Sequence, residues 1–133
     1  MKSFTNTKAY QWVDFYRSGT DGEIKAALKA FYKMEHWQDL HVALWAWLSL
    51  DGEREKHEWF EKFGIPRVIN YCFACVEAGE YCYYCPLTKP TAKHGYVLPA
   101  CLNGLYDDWW AADSEQKEKL ARKIATMKWC KLS

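Results

Sequence analysis

The chain reads as a mainly α-helical, compact single domain over residues 1–133: a bundle of about five or six helices with a four-cysteine, metal-stabilised knuckle at 72–85. Three observations predict this. Apolar residues recur at helical spacing in segment after segment, and Gly, Pro and capping residues separate the segments. With 133 residues, 50% of them hydrophobic, the chain can bury one real core but hardly two. Two Cys-x-x-Cys pairs, Cys72 with Cys75 and Cys82 with Cys85, stand close together in the middle of the chain.

The elements follow in order. Trp12, Phe15 and Tyr16 are spaced for one helical face within an aromatic cluster that runs from Phe4 to Tyr16 and ends at Gly19. Thr20 or Asp21 can cap a helix running to Lys33, with Ile24, Leu28, Phe31 and Tyr32 as its buried stripe. Lys25, Lys29 and Lys33 form a basic stripe on another face, read first as a solvated surface. In residues 35–50, Trp37, Leu40, Leu44 and Leu48 follow helical spacing, while Val42, Trp45 and Trp47 cover the rest of the circumference. A helix apolar nearly all round is a central one. Gly52 is expected to stop it by taking the left-handed conformation.

A short charged helix then presents Trp59, Phe60 and Phe63 to the core and stops at Gly64. Pro66 suits the first turn of a helix over 66–78, which would place Cys72 and Cys75 on one face. Residues 87–99, with Pro90, Gly95 and Pro99, read as loop. Leu102, Leu105, Tyr106 and Trp109 give an apolar stripe in a helix over 100–112. Asp113 caps a final helix over 114–129, with Leu120, Ile124 and Met127 inward.

Two Cys-x-x-Cys pairs supply the four thiolates of a closed tetrahedral site, so Cys72, Cys75, Cys82 and Cys85 are the candidate ligands of one Zn2+ ion. Four thiolates leave no position for water, which makes such a site structural. Cys101 is an alternative ligand, and Cys130 a bystander. Separate reduced cysteines or disulfides are the competing readings. An iron–sulfur cluster is a further rival, because four-cysteine ligation and a Cys-Pro ending such as Cys85-Pro86 occur there too.

Lys and Arg number 18 against 17 Asp and Glu, so no overall basic excess marks the chain for nucleic acid. The N-terminus lacks an apolar signal region and the longest apolar run, 42–48, is too short to span a bilayer. A cytoplasmic protein with no membrane partner is therefore expected. His36, His41, His57 and His94 match no metal-pair spacing, and Asp107 and Asp108 are adjacent and diverge on a helix. No phosphate loop or nucleophile elbow is present, so no catalytic residue is assigned and the expectation is a protein that is not an enzyme.

The Trp-rich helix, Asp51-Gly52, Asn70-Tyr71-Cys72-Phe73-Ala74-Cys75, Cys82-Tyr83-Tyr84-Cys85-Pro86, Cys101, Gly104-Leu105-Tyr106-x-x-Trp109 and Ile124-Ala125 together resemble small bacteriophage and prophage proteins with the same cysteine block. The resemblance covers about residues 36–129. It implies a bacterial-virus origin, the cytoplasm of the infected host and metal binding, and it brings no activity. The expected function is a protein-interaction module that binds a bacterial host protein, by analogy an inhibitor or modulator of host defence. A nucleic-acid-binding zinc knuckle is the alternative. There Lys25, Lys29 and Lys33 would meet phosphates and Tyr83 and Tyr84, with Tyr81, would stack bases. An iron–sulfur or redox protein is the third reading.

Overall fold

A computed structural model describes residues 9–68, 71–73, 76 and 105–126. Among these the regular structure is all helical: α1 Ala9–Ser18, α2 Asp21–Lys33, α3 Trp37–Leu48, α4 Lys56–Phe63, α5 Leu105–Ala111 and α6 Ser114–Ala125. Helix α3 is the centre. It packs most extensively against α6 and α1 and also touches α2 and α4, while α5 lies along α6.

Each helix forms for a local reason. Helix α2 opens with a capping box: the Thr20 hydroxyl accepts from the Glu23 N–H at 3.1 Å, and the Glu23 carboxylate accepts from the Thr20 N–H at 3.1 Å. Hydrogen bonds from the Thr20 backbone and hydroxyl hold the Glu23 carboxyl below the usual carboxylate range. In α4, Glu58 reaches back to the Glu55 N–H at 2.8 Å. Asp113 caps α6, accepting from Gln116 N–H at 2.9 Å. Of the stripe expected on α2, Ile24, Leu28 and Phe31 are buried and Tyr32 is half-buried. Trp59, Phe60 and Phe63 of α4 are buried as expected.

Gly64 ends α4 in the left-handed region at φ 65°, where a side chain would be strained. The Ile65 N–H then bonds back to Phe60 O at 3.1 Å, and Ile65 and Phe60 are both buried. This is the bond and the apolar contact of a Schellman ending.

Three boundaries differ from the sequence expectation, and one lies partly outside the described residues. Helix α3 ends at Leu48 with Ser49 as its cap in right-handed backbone, so Gly52 does not supply a left-handed stop. Glycine is required there for space. A Cβ on Gly52 would overlap the Ser114 carbonyl, and the Gly52 N–H donates to Glu118 Oε2 at 3.1 Å, docking the α3–α4 connection on the start of α6.

Residues 65–68 are not helical, and the helix expected from Pro66 does not start there. Tyr71 ends a single 3-10 turn, its N–H bonded to Val68 O at 3.0 Å, and its backbone is left-handed at φ 49°, which an α-helix running unbroken from Pro66 could not contain; among the described residues of this stretch α-helical backbone appears at Phe73 and Val76. In the helix expected over 100–112, residues 105–111 are helical and 100–104 lie outside the described residues. Helix α6 stops at Ala125 rather than 129. The backbone departs from helical geometry at Thr126, whose hydroxyl donates to the carbonyls of Arg122 and Lys123 at 3.1 Å each. Met127 lies outside the described residues.

The Gly52 contact gives a direct test. Gly52→Ala should lower stability by about 1–3 kcal/mol, the usual cost of forcing a methyl into a filled site. Urea unfolding is expected to show a lower midpoint at an unchanged slope; an unaltered midpoint would show that the connection yields freely.

Candidate metal centre

The one candidate ligand among the described residues is Cys72, and its position is fixed by its neighbours. Tyr71 N–H bonds to Val68 O at 3.0 Å, closing a turn. The Tyr71 ring lies 5.3 Å from that of Phe60. Phe73 is 0% exposed. Its ring stacks on Trp37 at 6.0 Å and 11° and on Phe60 at 5.5 Å and 25°, and meets Trp59 edge-on at 5.7 Å. Cys72 itself is half-buried against the core edge, and its carbonyl accepts from the Val76 N–H at 3.3 Å. The residue therefore stands where a helical turn begins.

Cys75, Cys82, Cys85, Cys101 and Cys130 lie outside the described residues, as do Tyr81, Tyr83, Tyr84 and His94. Among the described residues no group of three or more His, Cys, Asp or Glu side chains could hold a metal ion. Cys72 is half-buried and is the single thiol donor among the described residues.

Of the basic stripe, Lys25 is half-buried and Lys29 and Lys33 are exposed. The Cε atoms of Lys25 and Lys29 pass within about van der Waals contact of the space beside Gly64, at the C-terminal end of α4. A helix C-terminus carries partial negative charge, which favours cationic side chains in its neighbourhood. Nearby, Lys62 lies 3.9 Å from Asp21, an exposed pair linking α4 to α2.

The histidines occupy three different settings. His57 lies 3.2 Å from Glu55 at the surface. His36 Nδ1 is buried without a hydrogen bond among the described residues, with Asp39 Oδ2 at 3.7 Å. It follows Glu35, whose φ of 56° turns the chain from α2 into α3. His41 is 1% exposed, and its Nε2 lies 3.3 Å from the Ile124 carbonyl. A carbonyl only accepts, so the neutral ring carries its proton on Nε2. Burial pushes the His41 pKa down to about 4, against the Ile124 hydrogen bond, and the charge of Lys56 adds to the depression.

Sequence reasoning missed Lys56. It is the first residue of α4 and reads as part of a charged surface, yet it is only 8% exposed. Its Nζ lies 4.4 Å from the Tyr106 ring centre and 5.9 Å from that of Trp45. Tyr106 and Trp109 three residues on, with Trp45 in the central helix, were the available signal for an aromatic box around a cation.

His41 makes stability depend on pH. The unfolded imidazole takes a proton near 6.5 and the folded one near 4, so between these values the unfolded state binds more protons and stability falls as pH drops. The loss attributable to His41 is on the order of 3 kcal/mol at the lower end. Urea titrations of wild type and His41→Leu should diverge over that window, the wild type losing stability relative to the variant; parallel curves would refute the assignment.

No membrane-crossing helix occurs among the described residues, none being long and apolar enough. No family model, curated protein or solved structure matches the chain, so a functional reading has to rest on its own residues.

Proposed function

We propose that this chain is a zinc-clipped protein-interaction module of bacteriophage type. Cys72, Cys75, Cys82 and Cys85 hold one structural Zn2+ ion, with Cys101 as the alternative ligand. The helical bundle presents an aromatic surface to a bacterial host protein, whose activity it modulates. The pairing of cysteines in the sequence supports the ion: thiolates alone suit zinc and leave it coordinatively closed.

The observation that carries the interaction reading is Trp110. It is 65% exposed, while Trp109 beside it is buried edge-on against Trp45 at 5.1 Å. The Lys117 ammonium lies 5.0 Å from the Trp109 ring and 6.0 Å from the Trp110 ring, so a cation borders the exposed indole. Tryptophan is the side chain most enriched at interface hot spots, where its area is withdrawn from water on binding. A binding role also agrees with the balanced charge, which gives no general attraction for nucleic acid.

Two measurements test this reading. The purified protein is expected to carry one zinc per chain by elemental analysis and to be colourless, with Cys72→Ser, Cys75→Ser, Cys82→Ser and Cys85→Ser each losing metal and stability; full metal content in all four would exclude the site. Affinity capture from bacterial lysate, with and without nuclease, should retain a host protein in both arms that Trp110→Ala releases, a truncation expected to cost about 2 kcal/mol or more at a hot spot. A partner lost only with nuclease would favour the nucleic-acid reading instead.

A further inference from the structure

We propose that Phe73 is the positioning residue of the metal centre, fixing Cys72 for zinc by locking its backbone to the aromatic core; this rests on the zinc reading above. A metal site gains affinity when its ligands are held in place before the ion arrives, because less ordering is left to binding. Cys72 is held from both sides. On one side, Tyr71 has its backbone in the left-handed region at φ 49° and its ring against Phe60. That conformation is uncommon for a residue with a Cβ and persists only where the surroundings over-determine it.

On the other side, Phe73 is buried among three rings from two helices: Trp37 of α3, and Trp59 and Phe60 of α4. Trp37 in turn meets Tyr32 of α2 edge-on at 5.6 Å, and Trp59 donates from Nε1 to the Tyr16 hydroxyl of α1 at 3.1 Å. The side chain next to the first cysteine is thus tied to the first four helices. Cys72 cannot shift along its chain without pulling Phe73 from this cluster. By reciprocity, an ion held at Cys72 also tightens the cluster.

The test is zinc competition between the folded protein and a chromophoric chelator, at a temperature where circular dichroism shows native helix content. Phe73→Ala keeps every thiol and is expected to bind zinc about 10- to 100-fold more weakly, the loss seen when groups that orient metal ligands are removed. Phe73→Leu, which restores most of the apolar bulk, should recover part of that loss. Leu28→Ala, an equally buried position on α2, should bind as wild type and serves as the control for general destabilisation. If Phe73→Ala loses its helical signal, Phe73→Leu against wild type decides.

Wild-type affinity in the Phe73 variants, or an equal loss in Leu28→Ala, would overturn the positioning role and leave the zinc centre standing. A wild-type protein that takes up no zinc would overturn both.

Discussion

Ten consecutive residues of α3, Asp39 to Leu48, are withdrawn from water, and the rest of the fold follows from covering them. A helix satisfies its own backbone hydrogen bonds except at its ends, so it can be buried on every side if its side chains find apolar company. No single neighbouring helix can provide that cover. Helix α1 contributes Trp12, α2 contributes Leu28 and Phe31, α4 contributes Trp59 and Phe63, and α6 contributes Ala121, Ile124 and Ala125. Small residues on α6, and Ala43 and Ala46 on α3, let backbones come close where large rings would hold them apart.

Polar groups in such a core cost free energy unless they are hydrogen-bonded, and several of the partners here link helices. The Tyr16 hydroxyl of α1 donates to Ala43 O of α3 at 2.7 Å and accepts from the Trp59 indole of α4. Burial raises the Tyr16 pKa far beyond its ordinary value, so the phenol remains protonated and keeps donating. His41 joins α3 to a last-turn carbonyl of α6, where a helix leaves acceptors unmatched. Arg54 donates to Trp47 O at 2.9 Å, its guanidinium 4.2 Å from the Trp47 ring centre, and closes the loop after α3. These bonds select one arrangement of helices among the many that apolar burial alone would allow.

Much of the bundle was legible in the sequence because its signals are local. The all-round apolar run of α3, the stripe of α2, the Thr20 and Asp113 caps and the Gly64 stop each depend on residues within a few positions of one another. The features that escaped depend on distant partners. Gly52 reads as a helix stop until Ser114 is placed against it, and Lys56 reads as surface until Trp45 and Tyr106 close around it. Pro66 suggests a helix start, but the burial of Ile65 and the left-handed Tyr71 decide where that helix can begin. In the cysteine block, the Cys-x-x-Cys spacing is local and readable, whereas the anchoring of the chain beside Cys72 through Phe73 to Trp37 and Trp59 is a tertiary property.

The core also changes what the aromatic content means. From composition alone, eight tryptophans in a neutral chain argue for an interface. Placed in the fold, Trp12, Trp45, Trp47, Trp59 and Trp109 are buried and Trp37 is stacked on Phe73, so six of them serve packing. The aromatic area left for a partner is therefore a matter of location rather than of count. Among the described tryptophans it falls to Trp110, which α5 turns outward while its neighbour Trp109 is pinned beneath it. An exposed indole on a helix whose adjacent residue is buried in the core has little backbone freedom to lose on binding, which lowers the ordering cost of withdrawing its area from water against a partner.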